Sequence, residues 1–187
     1  MDDVDFWRAA TRLDGAYQVP RAGRMFGLAL ALTVLDQLSK AAARHGLEAG
    51  KSLPIIGNDF FRLTLVENPG SAFGLRLAHP TLLLIINLLA SVALAVILVR
   101  LCRKDSLLRF PIALLLTGAF GNSIDRIFFG HVTDFLDFDF PNFIMERWPV
   151  FNVADSCVTI GMISLVVLSF LPTHSPSREI TESAAQD

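Results

Sequence analysis

The sequence has little charge for its size, and this absence limits what the protein can be. Only 18% of the 187 residues are charged, 52% are hydrophobic, and the mean hydropathy is +0.50. Soluble domains carry roughly 25% charged residues, so an ordinary soluble domain is excluded. The net charge of −2 provides no basic surface for nucleic acid. We therefore expect a membrane protein that does not bind nucleic acid.

Cysteine and histidine are also scarce. Cys102 and Cys157 fall in different apolar segments, which argues against a structural disulfide. The four histidines lack the spacing of metal ligands, and no Ser, Thr or Cys lies beside a His in a recognisable nucleophilic setting. A glycine-rich phosphate loop is missing too. We expect neither a metal nor another cofactor.

Four apolar segments organise the chain, each close to the ~20 residues that a helix needs to cross a bilayer. They lie at about 25–44, 80–101, 110–130 and 152–171. Residues 1–24 contain no apolar run, which predicts a solvated or interfacial extension and argues against a cleaved signal peptide. Residues 172–187 are polar and are predicted to be a disordered cytoplasmic tail.

A short cationic loop sets the predicted orientation. The loop between the second and third segments contains Arg100, Arg103, Lys104 and Arg109, and such loops stay in the cytoplasm. Both termini are then inside, and the loops at 46–79 and 131–151 are outside. Alternating apolar residues at 61–65 predict a short strand there, as part of a β-hairpin platform. The expected fold is an all-α membrane protein with four transmembrane helices.

Asp36 and Lys40 interrupt the first apolar segment four residues apart, so they share a helical face and can form an ion pair. Two interpretations are open: the pair anchors the helix end at the water boundary, or it is a buried structural pair. A direct catalytic role ranks below both.

Polar side chains also form stripes on the third and fourth segments. Each stripe has helical spacing, so both are expected to face a shared interior. They consist of Gly118, Asn122, Asp125 and Arg126, followed by Asn152, Asp155 and Thr159. For Asn122 and Thr159, contacts that only hold helices together and a functional role are both open, whereas a buried unpaired carboxylate costs more than a packing contact returns.

Five acids lie in or near this stretch, and three have a simple alternative role. Asp125 can pair with the adjacent Arg126 or serve at the helix end, while Asp137 and Asp139 fall in a predicted loop where water can solvate them. Asp134 and Asp155 remain as a candidate pair. Two carboxylates at a partly dry site share one proton, which suits one as a base and the other as an acid in aspartic proteolysis.

Five sequence blocks resemble the bacterial lipoprotein signal peptidases, the signal peptidase II family. They are LDQLSK (35–40), VENPGSAFG (66–74), GNSIDR (121–126), GHVTDFLDF (130–138) and FNVADS (151–156). The resemblance implies an inner-membrane aspartic endopeptidase at 25–171, with four transmembrane helices and a small extracytoplasmic β-cradle at about 51–79. It implies that this enzyme cuts prolipoproteins just before the diacylglyceryl-modified cysteine. It implies contact with membrane lipids and inhibition by globomycin, and we expect a monomer.

Carried over by motif, the family's catalytic dyad falls on Asp134 and Asp155. The resemblance implies supporting or substrate-binding roles for seven further residues. These are Asp36, Lys40, Asn68, Asn122, Asp125, Arg126 and Asn152. Two other functions stay open: a catalytically silent lipid-binding relative, which would lack a dyad acid, and a small proton-coupled carrier, which would show inverted repeats.

Overall fold

The structure is a computed structural model that describes residues 19–57, 59–72, 75–76, 79–102, 107–139 and 147–171. Most of the predicted N-terminal extension and all of the predicted C-terminal tail lie outside the described residues, as do Arg103 and Lys104 of the cationic loop. The order of elements follows the four predicted apolar segments, with strands in the two connections predicted to be outside.

The described residues form four α-helices: α1 (Val19–Gly46), α2 (Pro80–Cys102), α3 (Arg109–Phe129) and α4 (Val153–Phe170). Each helix coincides with a predicted apolar segment. Within the described residues, α1 to α3 contain stretches long and apolar enough to cross a membrane, whereas the apolar stretch of α4 is shorter. The protein is therefore mostly helical with three candidate spans, and the fourth span stays a prediction.

Helix α3 lies at the centre of the bundle and packs against the other three helices. Two of its glycines allow this close packing. A Cβ at Gly118 would lie 2.2 Å from Val158 Cγ2, and a Cβ at Gly121 would lie 2.8 Å from Asp36 Oδ2. Because the backbones approach so closely, short polar side chains on α1, α3 and α4 can reach one another.

A small sheet lies beside one end of the bundle. Strands β1 (Ser52–Ile56) and β2 (Phe61–Asn68) pair in antiparallel fashion within the predicted cradle, and β3 (Ser71–Ala72) pairs with β4 (Leu75–Arg76). The third strand of the main sheet is β5 (Val132–Phe138), which pairs with β2 to give the order β1-β2-β5.

Strand β5 corrects the prediction that 131–151 is a loop. The segment VTDFLDF has acids at both of its faces, which hides the alternation of apolar and polar residues that usually marks a strand. Burial explains the pattern, because most residues of β5 are buried, including both acids. Its register places Val66 opposite Asp134 and Asn68 opposite Val132.

Candidate active site

The start of α4 fixes Asp155. Asn152 is the N-cap of the helix, and its side-chain oxygen accepts a hydrogen bond of 2.9 Å from the Asp155 N–H. In return, Asp155 Oδ2 accepts a hydrogen bond of 3.3 Å from the Asn152 N–H. This capping box satisfies two backbone donors of the first turn and holds the Asp155 carboxyl at a helix N-terminus, where negative charge is favoured.

Strand β5 presents Asp134, which is 2% exposed. Its Oδ2 accepts a hydrogen bond of 3.0 Å from Asn68 Nδ2, and its Oδ1 accepts one of 2.7 Å from Asn152 Nδ2. Asn68 reaches the carboxyl diagonally across β2 and β5, two register positions from the residue opposite Asp134. Both oxygens of Asp134 are therefore held, one by the sheet and one by the cap of α4.

Asn122 on α3 joins Asp155 to a lysine. Its Nδ2 donates a hydrogen bond of 2.8 Å to Asp155 Oδ1, while its Oδ1 accepts from Lys40 Nζ at 2.9 Å and from Asn152 Nδ2 at 3.2 Å. An ammonium group has no acceptor, so Lys40 requires the carbonyl oxygen of the Asn122 amide to face it. The amide N–H group of Asn122 must then point at Asp155.

Beneath the two acids lies a buried ionic cluster. Lys40 Nζ lies 2.9 Å from Asp36 Oδ2 and 3.3 Å from Asp125 Oδ2, and all three side chains are fully buried. Asp36 Oδ1 also accepts a hydrogen bond of 2.8 Å from the Ala154 N–H, in the first turn of α4. The cluster therefore ties α1 and α3 to the helix that carries Asp155.

The predicted roles of two of these groups need revision. The pairing of Asp36 with Lys40 is confirmed, and the interpretation as an anchor at the water boundary is wrong because both side chains are fully buried. Asp125 contacts Lys40 and accepts from the Thr133 N–H at 2.8 Å. The contact with Thr133, just beyond the end of α3, fits the helix-end role, whereas no ion pair joins Asp125 to the adjacent Arg126 among the described residues. Adjacent helical residues point about 100° apart, which explains the difference.

Asp137 also departs from its predicted role as a solvated acid. It is 2% exposed and accepts hydrogen bonds of 2.5 Å from both Arg147 Nε and Thr64 Oγ1. Burial alone would raise the pKa of Asp137, but these bonds and the charges of Arg147 and Arg62 outweigh it and hold the pKa below its usual range. Asp137 joins the sheet to the segment before α4 and lies apart from the Asp134 and Asp155 contacts.

The environment of Asp134 favours its protonated form. Burial is the larger cause and the negative charge of Asp155 the second, and together they raise the pKa of Asp134 from 3.8 to about 7. The hydrogen bonds from Asn68 and Asn152 and the charge of Lys40 act in the opposite direction without cancelling them. An acid with this pKa is divided between its two protonation states near neutral pH.

An open cleft of about 450 Å³ exposes both acids to a ligand. Asp134 and Asp155 lie in its wall with Asn68 of β2, and the cleft continues past Thr159 and Ile160 along α4. Arg126 is half-buried nearby, subject to the charges of Asp155, Asp134 and Asp125. Its Nε is buried and, among the described residues, has no hydrogen-bond partner. The arrangement offers two acids, amide donors and a cation to one substrate.

Two residues of this region escaped the sequence analysis. Thr133 precedes Asp134, and its side-chain oxygen accepts a hydrogen bond of 2.8 Å from Arg44 Nη1. Arg44 follows Lys40 by four residues, so it continues the helical face that begins with Asp36. That spacing was the available signal. It was missed because Arg44 lies at the end of the apolar segment, where a cation needs no special explanation.

The same bundle and sheet occur in solved bacterial membrane enzymes. One structure, at 2.3 Å resolution, aligns with a TM-score of 0.69 and 31% identity over 83% of this chain and 94% of that chain. A second, at 1.9 Å resolution, gives a TM-score of 0.67 and 32% identity over 81% of this chain and 95% of that chain. The fold therefore places the protein in the class of membrane enzymes to which these bacterial structures belong.

Sequence comparisons then identify the family. Residues 28–171 match Peptidase_A8, described as Signal peptidase (SPase) II. The lipoprotein signal peptidase of Moorella thermoacetica is 42% identical over 153 residues, covering 81% of this chain and 96% of that protein. That of Pelodictyon phaeoclathratiforme is 38% identical over 160 residues, covering 81% and 94%. The chain belongs to the signal peptidase II family and is a protease of that type, as its sequence motifs predict.

Proposed function

We propose that this protein removes the signal peptide of prolipoproteins just before a diacylglyceryl-modified cysteine, with Asp134 and Asp155 as its catalytic acids. One observation carries the assignment of the acids: Asn152 contacts both carboxyl groups. Its side-chain Nδ2 donates to Asp134 Oδ1 at 2.7 Å, and its backbone N–H donates to Asp155 Oδ2 at 3.3 Å. Two carboxyl groups held by one residue, in the wall of one cleft, are within reach of a single water and a single peptide bond.

The charges around the acids support a shared proton. Three cations, Lys40, Arg44 and Arg126, accompany the four acids Asp36, Asp125, Asp134 and Asp155. If one acid is protonated, the cluster is neutral, which low-dielectric surroundings favour. We assign the proton to Asp134, whose pKa burial and the Asp155 charge raise to about 7. We take Asp155 as the ionised member of the pair, because its carboxyl lies in the first turn of α4, where the helix dipole favours negative charge.

The chemical steps follow from these protonation states. Asp155 takes a proton from the water as the water oxygen bonds to the scissile carbonyl carbon, and Asp134 gives its proton to the carbonyl oxygen. The product is a neutral tetrahedral diol. When it collapses, a diol proton returns to Asp134, the C–N bond breaks, and Asp155 delivers its proton to the leaving nitrogen. The two acids thereby regain their starting states.

The groups in and near the cleft suit a peptide substrate that enters from the membrane. Asn68, in the cleft wall, can exchange hydrogen bonds with a substrate backbone. The half-buried guanidinium of Arg126, near the two acids, can bind carbonyl oxygens by charge-assisted bonds. Toward α4 the cleft wall becomes apolar at Ile160. That end suits the hydrophobic part of a signal peptide or the acyl chains of the diacylglyceryl group.

The topology belongs to the same proposal. We propose that α4 is a fourth span, that both termini are cytoplasmic, and that the cleft opens at the periplasmic face of the inner membrane. We further propose that residues 25–171 form the peptidase domain, preceded by the 1–24 extension and followed by the 172–187 tail. The domain acts as a monomer that is in contact with membrane lipids, and globomycin inhibits it.

The test is cleavage of a synthetic diacylglyceryl prolipoprotein by purified protein in lipid. Asp134→Asn and Asp155→Asn should each reduce kcat by at least ~1000-fold, because each removes one of the two proton-transfer groups. Asp59→Asn is the matched control, since the Asp59 carboxylate is exposed outside the cleft. Retained turnover in either dyad variant contradicts the assignment. A wild-type protein that binds the lipopeptide without cutting it is instead a silent relative.

A further inference from the structure

Thr133 is the residue immediately before Asp134, and each of its polar atoms is held by a different residue. Its N–H donates to Asp125 Oδ2 at 2.8 Å, and its carbonyl oxygen accepts from Asn152 Nδ2 at 3.4 Å. Its hydroxyl accepts a hydrogen bond of 2.8 Å from Arg44 Nη1. Thr133 is fully buried, so these bonds fix the backbone from which the Asp134 side chain projects.

Arg44 is the member of this set that contributes a charge without being fully buried. It lies near the end of α1 with 24% of its side chain exposed, and its guanidinium lies 4.3 Å from the centre of the Phe129 ring at the end of α3. The ring limits the positions of the guanidinium through a cation–π contact. The contact with α3, as well as the position of Arg44 on its own helix, therefore orients the guanidinium toward β5.

Asp125 connects Arg44 to the same backbone by a second route. The Asp125 side chain is fully buried, and its Oδ1 has no hydrogen-bond donor among the described residues. Arg44 Nη1 lies 3.8 Å from that oxygen. Lys40 lies beside the other oxygen, which also accepts the Thr133 N–H. Arg44 therefore offsets the negative charge at Asp125 Oδ1, whereas Lys40 offsets it at Oδ2.

We propose that Arg44 is a positioning residue for Asp134 and acts through Thr133 and Asp125. The proposal rests on the proposed function, because it assumes that Asp134 is a catalytic acid. Arg44 touches neither catalytic carboxyl. It fixes the residue before Asp134 from the hydroxyl side and stabilises the carboxylate that holds the same residue from the N–H side. Without Arg44, Asp134 should still bind Asn68 and Asn152 but in a wider range of positions.

The first measurement is kcat and KM of Arg44→Met and Arg44→Lys in the cleavage assay. Loss of positioning lowers turnover more than binding, so Arg44→Met should reduce kcat about tenfold and change KM less than about twofold. Arg44→Lys keeps a cation that reaches either partner and should recover kcat to within about threefold of wild type. Arg100→Met is the control: it removes an exposed cation from α2, far from the acids in sequence, and should leave both constants unchanged.

The second measurement tests the route through Thr133. Thr133→Val removes the hydroxyl that accepts from Arg44 and keeps the shape of the side chain. Alone, Thr133→Val should reduce kcat about fivefold. In the Arg44→Met background, Thr133→Val should reduce kcat by less than about twofold, because the two residues act through one bond. Thermal unfolding of each variant in detergent identifies the variants that fold poorly. Poor folding lowers the concentration of active enzyme, and it lowers the apparent kcat only for that reason.

The outcomes separate this proposal from the dyad. If Arg44→Met turns over at the wild-type rate while Asp134→Asn is inactive, Arg44 has no positioning role and the dyad stands. Fully additive losses for Arg44→Met and Thr133→Val overturn the route through the hydroxyl. If Asp134→Asn itself retains activity, the dyad assignment fails, and the role of Arg44 fails with it.

Discussion

Asp134 is the residue whose protonation most directly limits the proposed reaction. Burial first, and the charge of Asp155 second, raise its pKa to about 7. In the proposed reaction it must carry a proton when the carbonyl is attacked. Activity should therefore be present below that pKa and should be lost as the pH rises through it, since the ionised form cannot donate.

We predict that kcat falls toward tenfold for each pH unit above about 7. The measurement is kcat between about pH 5 and about pH 9, in steps of about half a pH unit, at saturating substrate. At saturation the profile reports only the enzyme–substrate complex. The descending limb belongs to the coupled pair. A kcat that stays constant up to about pH 9 is incompatible with a proton on Asp134.

The same pKa predicts a dependence of stability on pH. The folded protein keeps the Asp134 proton up to about pH 7, whereas the unfolded chain loses it near the ordinary aspartate pKa of 3.8. Between these values the folded state binds more protons, so wild-type stability falls as the pH rises and stays level above the window. Asn at this position does not titrate and shows no such fall.

The prediction concerns the difference between two proteins. From about pH 4 to about pH 7, the free energy of unfolding of Asp134→Asn should rise relative to wild type by on the order of 4 kcal/mol. Thermal unfolding of both in the same detergent measures it. Titrating groups that do not interact with Asp134 are common to the two proteins and cancel, whereas Asp155 is coupled to Asp134 and contributes to the difference. A constant difference across the window means that Asp134 has an ordinary pKa.

At the scale of single residues, sequence spacing predicted contacts within one helix and failed between elements. Asp36 and Lys40 pair as their spacing of four indicates. The partner of Asp125 was not predictable in this way, because Lys40 is on another helix, 85 positions away in sequence. Asp137 was expected in water because its strand was not recognised. Its burial follows from the pairing of β5 with β2.

At the scale of elements, the contact between α3 and α4 holds the site together. Gly118 allows this contact: a Cβ there would lie 2.2 Å from Val158 Cγ2 and 2.8 Å from the Ala154 carbonyl oxygen. Side chains can rotate away, but a backbone oxygen moves only with its helix. Because Ala154 directly precedes Asp155, any shift that relieves the second contact also moves the catalytic carboxyl.

We predict that Gly118→Ala destabilises the protein by about 1–3 kcal/mol and lowers kcat. Gly27→Ala is the matched control, since a Cβ at Gly27 meets nothing within 4 Å; there the change should be neutral or slightly stabilising. Adding Val158→Ala to Gly118→Ala should recover part of the stability but not the activity, because the contact with the backbone oxygen remains. Full activity in Gly118→Ala contradicts the proposed dependence on this contact.

The helices were predictable as elements and strand β5 was not. Long apolar runs mark α1 to α4, and the pattern is strong because lipid and core both require apolar side chains. In β5 the buried residues include Thr133, Asp134 and Asp137. Their burial depends on donors from α1, β2 and the segment before α4, which no local pattern records. The element that carries a proposed catalytic acid is therefore the one that sequence periodicity missed.

At the scale of the whole molecule, apolar side chains cover the outside of the bundle. Leu30 on α1, Leu89 on α2 and Phe128 on α3 are 64%, 66% and 74% exposed, and Val167 on α4 is 54% exposed. A surface of this kind on all four helices suits lipid rather than water. It supports a fourth span at α4 even though the apolar stretch of that helix is short.

The orientation and the fourth span have one test, based on single cysteines. In a chain with Cys102→Ala and Cys157→Ala, Lys51→Cys marks the sheet side, Leu107→Cys the turn between α2 and α3, and Leu171→Cys the end of α4. All three positions are exposed. A membrane-impermeant maleimide added to cells with a permeabilised outer membrane should label only Lys51→Cys, because cations near the turn keep it in the cytoplasm.

Inside-out vesicles should give the reverse pattern, with Leu107→Cys and Leu171→Cys labelled and Lys51→Cys protected. This control separates a protected cytoplasmic residue from one that is simply buried in lipid and labels from neither side. If Leu171→Cys is labelled from the same side as Lys51→Cys, α4 does not cross the membrane. If Leu107→Cys is labelled from outside, the orientation is inverted, and the two acids would face the cytoplasm, where a prolipoprotein exported across the membrane does not present its cleavage site.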